Sequence, residues 1–442
     1  MLKRELITNI TSTSNTATVA GRIISARKMK NFLFFDISDV SGVIQLVITA
    51  PSSITPPDAG DLVRASGLVI NTKSGQLSID CTEIEILSRG STAVVNAIKN
   101  TSSNEFNGQR SLNLMVSENL KKMIKTRSMM IGIIREHFRV SDFLEVDTPI
   151  ISYSRFAGTA DIFETKSKAL GKSLYLRGTL EDYLKQLVVA GFEKVFQIGD
   201  CFRNESPALM EFTMLEATWA YTTSGQMLQF IQGLIMSICE QLPDDLVDST
   251  IKRELSQKIE VVSFWGVLEK YFNVDIRLLS AEEVKVLARK EGYVISTLGN
   301  NDYELAKFGY DVIKRKLAQT FESPTFVGRF PASISPLAKE LSGSTGEADR
   351  GYGFFKGQRL FEVVEEASNY EEQLRKFEAQ EQRGHHKIKT FKHDDLLTSL
   401  SYGCPPMAGL GFNINRVLAV LLESTRTSDV VPFPLTSAPL PL

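Results

Sequence analysis

The sequence predicts an α+β chain made of two unlike parts. Residues 17–88 hold five short apolar runs separated by turn signals, which reads as a small all-β domain. From residue 110 onward, helical patterns alternate with apolar strands. Between the two, residues 88–109 are rich in Ser, Asn, Gly and Thr and read as a linker. The expected division is a barrel at 1–90, a linker at 91–110 and a larger domain at 111–442. A chain of 442 residues has ample core for two or three domains.

The five runs are residues 17–24, 32–38, 43–49, 62–70 and 76–87, with turns at Ser41-Gly42 and Lys73-Ser74-Gly75. Five short strands in so few residues suit an OB barrel, a fold that often binds single-stranded nucleic acid. The net charge is -2, so any nucleic-acid contact must use a local basic face such as Arg27-Lys28-Met29-Lys30. Composition is that of an ordinary globular protein, 43% apolar and 23% charged. The four cysteines, Cys81, Cys201, Cys239 and Cys404, are scattered and suggest neither zinc nor a disulfide framework. No run approaches a membrane span and no apolar segment follows Met1-Leu2-Lys3-Arg4-Glu5, so a reducing cytoplasm is expected.

Chemistry concentrates in two places. In Gly199-Asp200-Cys201-Phe202-Arg203-Asn204-Glu205, Arg203 and Glu205 fall two residues apart on one predicted strand and share a side of it. A short loop leads to a second run, Glu211 to Glu216, with Phe212 able to stack on a base. An arginine placed here can neutralise charge that builds in phosphoryl or nucleotidyl transfer. A surface hairpin with an ordinary ion pair is the competing reading. The second place is Gly409-Leu410-Gly411-Phe412, a glycine-rich strand that runs into an apolar helix carrying Arg416. The glycines allow close backbone approach to a ligand, although a plain packing turn has the same pattern.

Together these motifs resemble class II aminoacyl-tRNA synthetases. The hairpin resembles motif 2, the glycine-rich strand and Arg416 resemble motif 3, and motif 1 is matched by a helix at 127–140 followed by Phe143 to Pro149. The phrases Glu181-Asp182-Tyr183-Leu184-Lys185, Gly191-Phe192-Glu193-Lys194-Val195-Phe196 and Val430-Val431-Pro432-Phe433-Pro434 are most similar to the lysyl group, with the aspartyl and asparaginyl enzymes next. The resemblance implies an antiparallel sheet flanked by helices, a homodimer, and ATP and Mg2+ as cofactors. It implies that a basic amino acid is joined to AMP and passed to tRNA. By motif, ATP would be held by Arg203, Glu205, Phe212, Glu362, Gly411 and Arg416, with Arg203 and Arg416 catalytic. Gly158, Glu181, Arg203, Glu216 and Glu366 would hold the amino acid, and Glu362 a metal ion. In the barrel, Arg22, Phe34, Gln45 and Glu83 fall on the positions that read an anticodon base. His137, His385, His386 and His393 fall outside the matched motifs.

The chain also departs from the pattern. The motif 2 loop is short, Ser206-Pro207-Ala208-Leu209-Met210, and lacks the usual basic residue and histidine. Thr218 stands where lysyl enzymes place a tyrosine. Val-Val-Glu-Glu-Ala-Ser-Asn-Tyr replaces the usual signature at 363–370, so that either Glu366 or Glu362 can take the role of its acid, and no upstream metal acid is evident near Tyr352 to Phe355. On sequence, a tRNA-independent adenylating ligase and an inactive RNA-binding paralogue therefore stay open beside the synthetase.

Overall fold

The computed structural model of this chain describes residues 4–49, 56–99, 110–153, 161–204, 210–295, 302–344, 346–382 and 395–434. It divides into two compact units between Lys121 and Lys122.

The first unit is a closed five-stranded barrel, as the sequence predicts. Its strands are β1 (Thr16–Lys28), β2 (Phe32–Ser38), β3 (Val43–Thr49), β4 (Leu62–Asn71) and β5 (Leu77–Ser88), in the order β1-β2-β3-β5-β4. Alternation sets its inside and outside. Leu33, Phe35 and Ile37 of β2 enter the core with Ile44, Leu46 and Ile48 of β3. Phe34 lies on the outer face, half-buried. The segment read as a linker contains a helix, α1 (Thr92–Lys99), and a second, α2 (Arg110–Val116), follows; both cluster with the barrel. Their apolar residues, such as Val94 and Val95, were masked in the sequence by the surrounding Ser and Asn.

The second unit starts with the long helix α3 (Glu118–Arg139), which runs several residues upstream of the predicted start. The motif 1 strand is only β6 (Leu144–Glu145). A three-stranded sheet follows from β7 (Ile151–Ser152), β8 (Glu164–Ser167) and β9 (Lys172–Leu176). Next come α4 (Glu181–Val189), the hairpin β10 (Lys194–Phe202) and β11 (Glu211–Ala220), and helices α5 (Ser224–Gln241) and α6 (Ser249–Leu255). A helical stretch then interrupts the sheet strands: β12 (Glu260–Ser263), α7 (Phe264–Phe272), α8 (Ala281–Lys290), α9 (Asp302–Arg315), β13 (Thr325–Gly328) and the small pair β14 (Phe330–Pro331) and β15 (Glu347–Ala348). The chain ends with β16 (Arg350–Phe355), β17 (Gln358–Glu365), α10 (Tyr370–Gln382), α11 (Asp395–Leu400), β18 (Met407–Asn413) and α12 (Ile414–Leu421).

The main sheet has eight strands in the order β12-β13-β16-β17-β18-β11-β10-β6. Its six central strands are antiparallel, and only the edge strands β12 and β6 pair in parallel. A doubly wound parallel sheet is therefore excluded. One face is covered by helices: α12 packs on β11 and β17, and α5 on β17 and β18. Phe138 of α3 anchors an aromatic cluster, with ring centroids 4.9 Å from Phe143, 4.5 Å from Phe196 and 5.0 Å from Phe230. His137, on the motif 1 helix itself, joins this cluster, 4.8 Å from Phe230. The opposite face of the sheet is open and carries the site.

Candidate active site

Strand register puts the expected residues on one floor. Glu216 of β11 pairs with Gly411 of β18, Gly411 with Glu362 of β17, and Glu362 with Tyr352 of β16. One row across four strands thus points at the same space. The next row holds Thr218, Gly409, Val364 and Arg350. These residues line a cavity of about 900 Å³, together with Phe212, Arg203, Glu181, Glu366 and Arg416. That size suits a ligand as large as a nucleotide joined to an amino acid. Gly409 and Gly411 lower the middle of the floor. A Cβ on Gly409 would meet Glu366 Oε1 at 2.1 Å, so no larger residue fits there without displacing that acid.

One end of the cavity is acidic. Glu216 is buried and accepts hydrogen bonds from Thr179 Oγ1 at 2.8 Å and from the Leu180 amide at 3.0 Å. Burial first, and then the charge of Glu181, push its carboxyl up to about 7. Beside it stands a cation the sequence reading did not assign to the site. Lys185, one helical turn beyond Glu181 on α4, is 1% exposed and bonds to Glu181 at 2.5 Å. Its ammonium also lies 2.7 Å from Glu366 Oε2, without hydrogen-bond alignment. Burial opposes its charge, but Glu181 and Glu366 outweigh this and hold the ammonium above its usual range. The i, i+4 spacing of Glu181 and Lys185 was the available signal. Glu366 is fully buried, while Glu365 pairs with Lys339 at 2.6 Å.

The other end is cationic. Arg203 donates to the Gly178 carbonyl at 3.3 Å and lies over the Phe212 ring at 5.3 Å. Arg416 sits in the first turn of α12, where the Asn413 side chain caps its amide at 2.9 Å. Its guanidinium bonds to the Arg359 carbonyl at 3.2 Å. Burial, Arg359 and Arg203 together lower the Arg416 pKa to about 10. A cation this desolvated beside other cations is a place where an anion binds well. Arg359 donates to Tyr310 Oη at 2.7 Å and stacks over Tyr352 at 4.4 Å. Arg350 bonds to Glu362 at 2.7 Å, to the Ile334 carbonyl at 2.7 Å and to Tyr352 Oη. Neither Arg350 nor Arg359 was singled out from the sequence, because the motif positions on their strands drew the reading to acids. Arg127 of α3 ties the floor from behind, bonding to Asn415 and Thr213 at 2.7 Å each.

The Glu362 carboxylate does not stand free for a metal ion, as expected from the resemblance. It is taken by Arg350, and no group of three metal-donor side chains occurs among the described residues. Mg2+ takes one or two carboxylates plus phosphate oxygens, and Glu362, already paired with Arg350, does not fit that role among the described residues. Gly158, Glu205, residues 206–209 of the short loop, His385, His386 and His393 lie outside the described residues.

On the barrel, Phe34 and Gln45 are diagonal neighbours on the outer face, since Phe34 pairs with Val47 and Gln45 with Asp36. Gln45 is held by Ser78 Oγ at 3.3 Å. Arg22 lies two rows away, its guanidinium on the Gly60 carbonyl at 2.6 Å. Glu83 is exposed, 4.0 Å from Arg64.

Comparison with known proteins agrees with this architecture. A profile of the OB-fold nucleic acid binding domain matches residues 17–87, and one of the tRNA synthetases class II (D, K and N) matches residues 103–437. The chain is 32% identical to a lysine–tRNA ligase of Blochmanniella pennsylvanica over 94% of its own length and 85% of that protein. It is 31% identical to one of Actinobacillus pleuropneumoniae, covering 94% and 86%, and 30% identical to one of Listeria welshimeri with the same coverage. Barrel, antiparallel sheet and a charge-divided cleft therefore meet in one chain, which belongs to the class II tRNA synthetases of the D, K and N group.

Proposed function

We propose that this aminoacyl-tRNA synthetase activates lysine with ATP and transfers it to tRNA. The observation that carries the reading is the division of charge along one floor. Acids Glu181, Glu216 and Glu366 suit a doubly cationic amino acid, and the arginines suit a triphosphate. The lysine–tRNA ligases named above support the choice of amino acid.

In this reading Glu181 and Glu216 hold the substrate ammonium groups, and Thr218 shapes the pocket wall. Arg203 bridges the substrate carboxylate and the α-phosphate. Phe212 and Arg416 sandwich the adenine, with Arg416 also reaching the γ-phosphate. The carboxylate oxygen attacks the α-phosphorus as the bond to pyrophosphate breaks. No covalent nucleophile is needed, because positioning and charge neutralisation carry the rate. Phe34 and Gln45 on the barrel contact an anticodon base by stacking and by edge pairing. Two copies of the chain associate through the exposed apolar residues Leu144, Ile150 and Ile151 beside α3, which are 47–51% exposed. A cytoplasmic location fits this role.

Amino-acid-dependent pyrophosphate exchange across the standard amino acids tests the reading. Lysine is expected to give the fastest exchange, and no exchange with any of them would sink the proposal. Exchange without tRNA charging would transfer the reading to a tRNA-independent ligase. Arg203→Ala and Arg416→Ala should each cost about 2–4 kcal/mol of transition-state stabilisation, or roughly 30- to 1,000-fold in exchange rate. Near-normal rates in both folded variants would exclude the assignment.

The raised Glu216 carboxyl predicts a pH dependence. A bound ammonium needs the carboxylate, and below about pH 7 a proton must leave first. Lysine affinity should therefore rise with pH through about 7 and on to about 8, where the buried Glu366 carboxyl also ionises, whereas Glu216→Gln should remove the lower part of that rise. A wild-type dissociation constant that is constant between pH 5.5 and 8 would contradict this.

For the barrel, Phe34→Ala should weaken tRNA charging by about 1–3 kcal/mol and leave pyrophosphate exchange unchanged. Equal loss in both assays would mean that the substitution disturbs the whole chain. For the dimer, light scattering should give twice the chain mass for the wild type and a lower mass for Leu144→Asp with Ile151→Asp. A wild-type monomer at micromolar concentration would remove this part of the proposal.

A further inference from the structure

We infer that a guanidinium of the chain itself, that of Arg350, stands in for a protein-held metal ion at the triphosphate end of the cleft. This rests on the reading of that end as the ATP site. Glu362 is the pocket-facing acid of β17, and its register neighbours are Gly411 and Tyr352, neither of which can pair with it to chelate a cation. Across the sheet its carboxylate is already met by Arg350 Nε at 2.7 Å. Arg350 is fixed there from three sides, by Glu362, by the Ile334 carbonyl and by Tyr352 Oη. Its charge is held firmly: burial opposes it, but Glu362 and Tyr352 outweigh burial and keep the group above its usual range.

A protein-bound Mg2+ uses one or two carboxylates plus phosphate oxygens in near-octahedral geometry. Among the described residues one carboxylate remains at this end, and it is already neutralised. A divalent ion on its second oxygen would also face Arg350, Arg359 and Arg416 within the same cavity. The arginines offer what the ion would otherwise supply, fixed positive charge against the phosphates, and they do so without a metal ligand set. The chain thus binds the nucleotide through guanidinium groups, and any magnesium arrives and leaves with the nucleotide.

The sign of one substitution separates this arrangement from a metal site. Glu362→Gln removes the acid that Arg350 neutralises and leaves its positive charge facing the triphosphate. ATP binding to the full-length protein is measured by calorimetry in EDTA and in excess MgCl2. Wild-type affinity is expected to differ less than about fivefold between the two. Glu362→Gln is expected to tighten metal-free ATP binding by about threefold or more. Arg350→Met, with melting followed to confirm folding, should weaken metal-free binding at least tenfold. Wild-type binding that falls a hundredfold in EDTA, or a Glu362→Gln variant that weakens binding in MgCl2 alone, would overturn the inference while leaving the nucleotide site in place. Absence of ATP binding in both buffers would overturn the nucleotide reading and this inference with it.

Discussion

The site depends on the register of three strands. Glu216 on β11, Gly411 on β18 and Glu362 on β17 fall in one row, and the residues two positions away on each strand fall in the next. Side chains alternate between the faces of a sheet, so a slip of one residue in any of these pairings would turn its entire set toward the helices. The apolar partners make such a slip costly. Leu215, Ala217, Leu410 and Phe412 are all buried on the other face, where α5 and α12 cover the sheet. The core that stabilises the fold thereby also fixes which groups face the substrate.

Given that floor, the distribution of charge follows from what each end must tolerate. Several buried charges of one sign are stable only with partners or with a ligand. At the cationic end, Arg350 and Arg359 have resident partners in Glu362, Tyr352 and Tyr310. Among the described residues Arg416 has only a backbone carbonyl contact, to Arg359, and burial followed by the neighbouring guanidinium groups depresses its pKa. It is the cation with most to gain from an anion. Arg203, cradled over Phe212, is the other arginine without a carboxylate in the described site. These two are also the arginines that the motifs single out.

The barrel was legible to within a residue at each strand end except that of β1, read to residue 24, which runs on to Lys28. Strands β2 and β3 have the bounds read from alternation, because each is flanked by Gly, Ser or Asp turn residues. The hairpin β10–β11 and the glycine-rich β18 were legible from their apolar runs, but β10 ends at Phe202, so Arg203 lies just past the strand expected to carry it. The linker was misread, because α1 is a short helix whose polar neighbours dominate the composition. Arg350, Arg359, Tyr310 and Lys185 were not singled out from the sequence at all. Each acts through a partner far along the chain: Arg359 meets Tyr310, and Lys185 meets Glu366. A lone arginine in a strand looks like a solvated charge until topology brings its partner across the sheet. The expected metal role of Glu362 changed for this reason too, since the guanidinium that neutralises it comes from the neighbouring strand.

Lys185 shows how such a hidden partner shapes specificity. With both acids ionised, Glu181 and Glu366 leave the trio with Lys185 at −1, and because burial pushes the Glu366 carboxyl up to about 8 this charge is complete only above that pH. Glu216 adds a second negative charge once it ionises. The acidic end therefore matches the two ammonium groups of a basic amino acid and would be overcharged for a neutral one. Without Lys185 the trio would be two facing carboxylates with no resident cation, and one of them would have to stay protonated. The buried lysine thus lowers the number of unpaired acids to what one substrate can satisfy. Gly409 belongs to the same arrangement, because any side chain there would push Glu366 off the Lys185 ammonium. In the lysine reading, selectivity for charge at this end would rest on a residue beneath the pocket wall and on a glycine in its floor, in addition to the acids that meet the substrate.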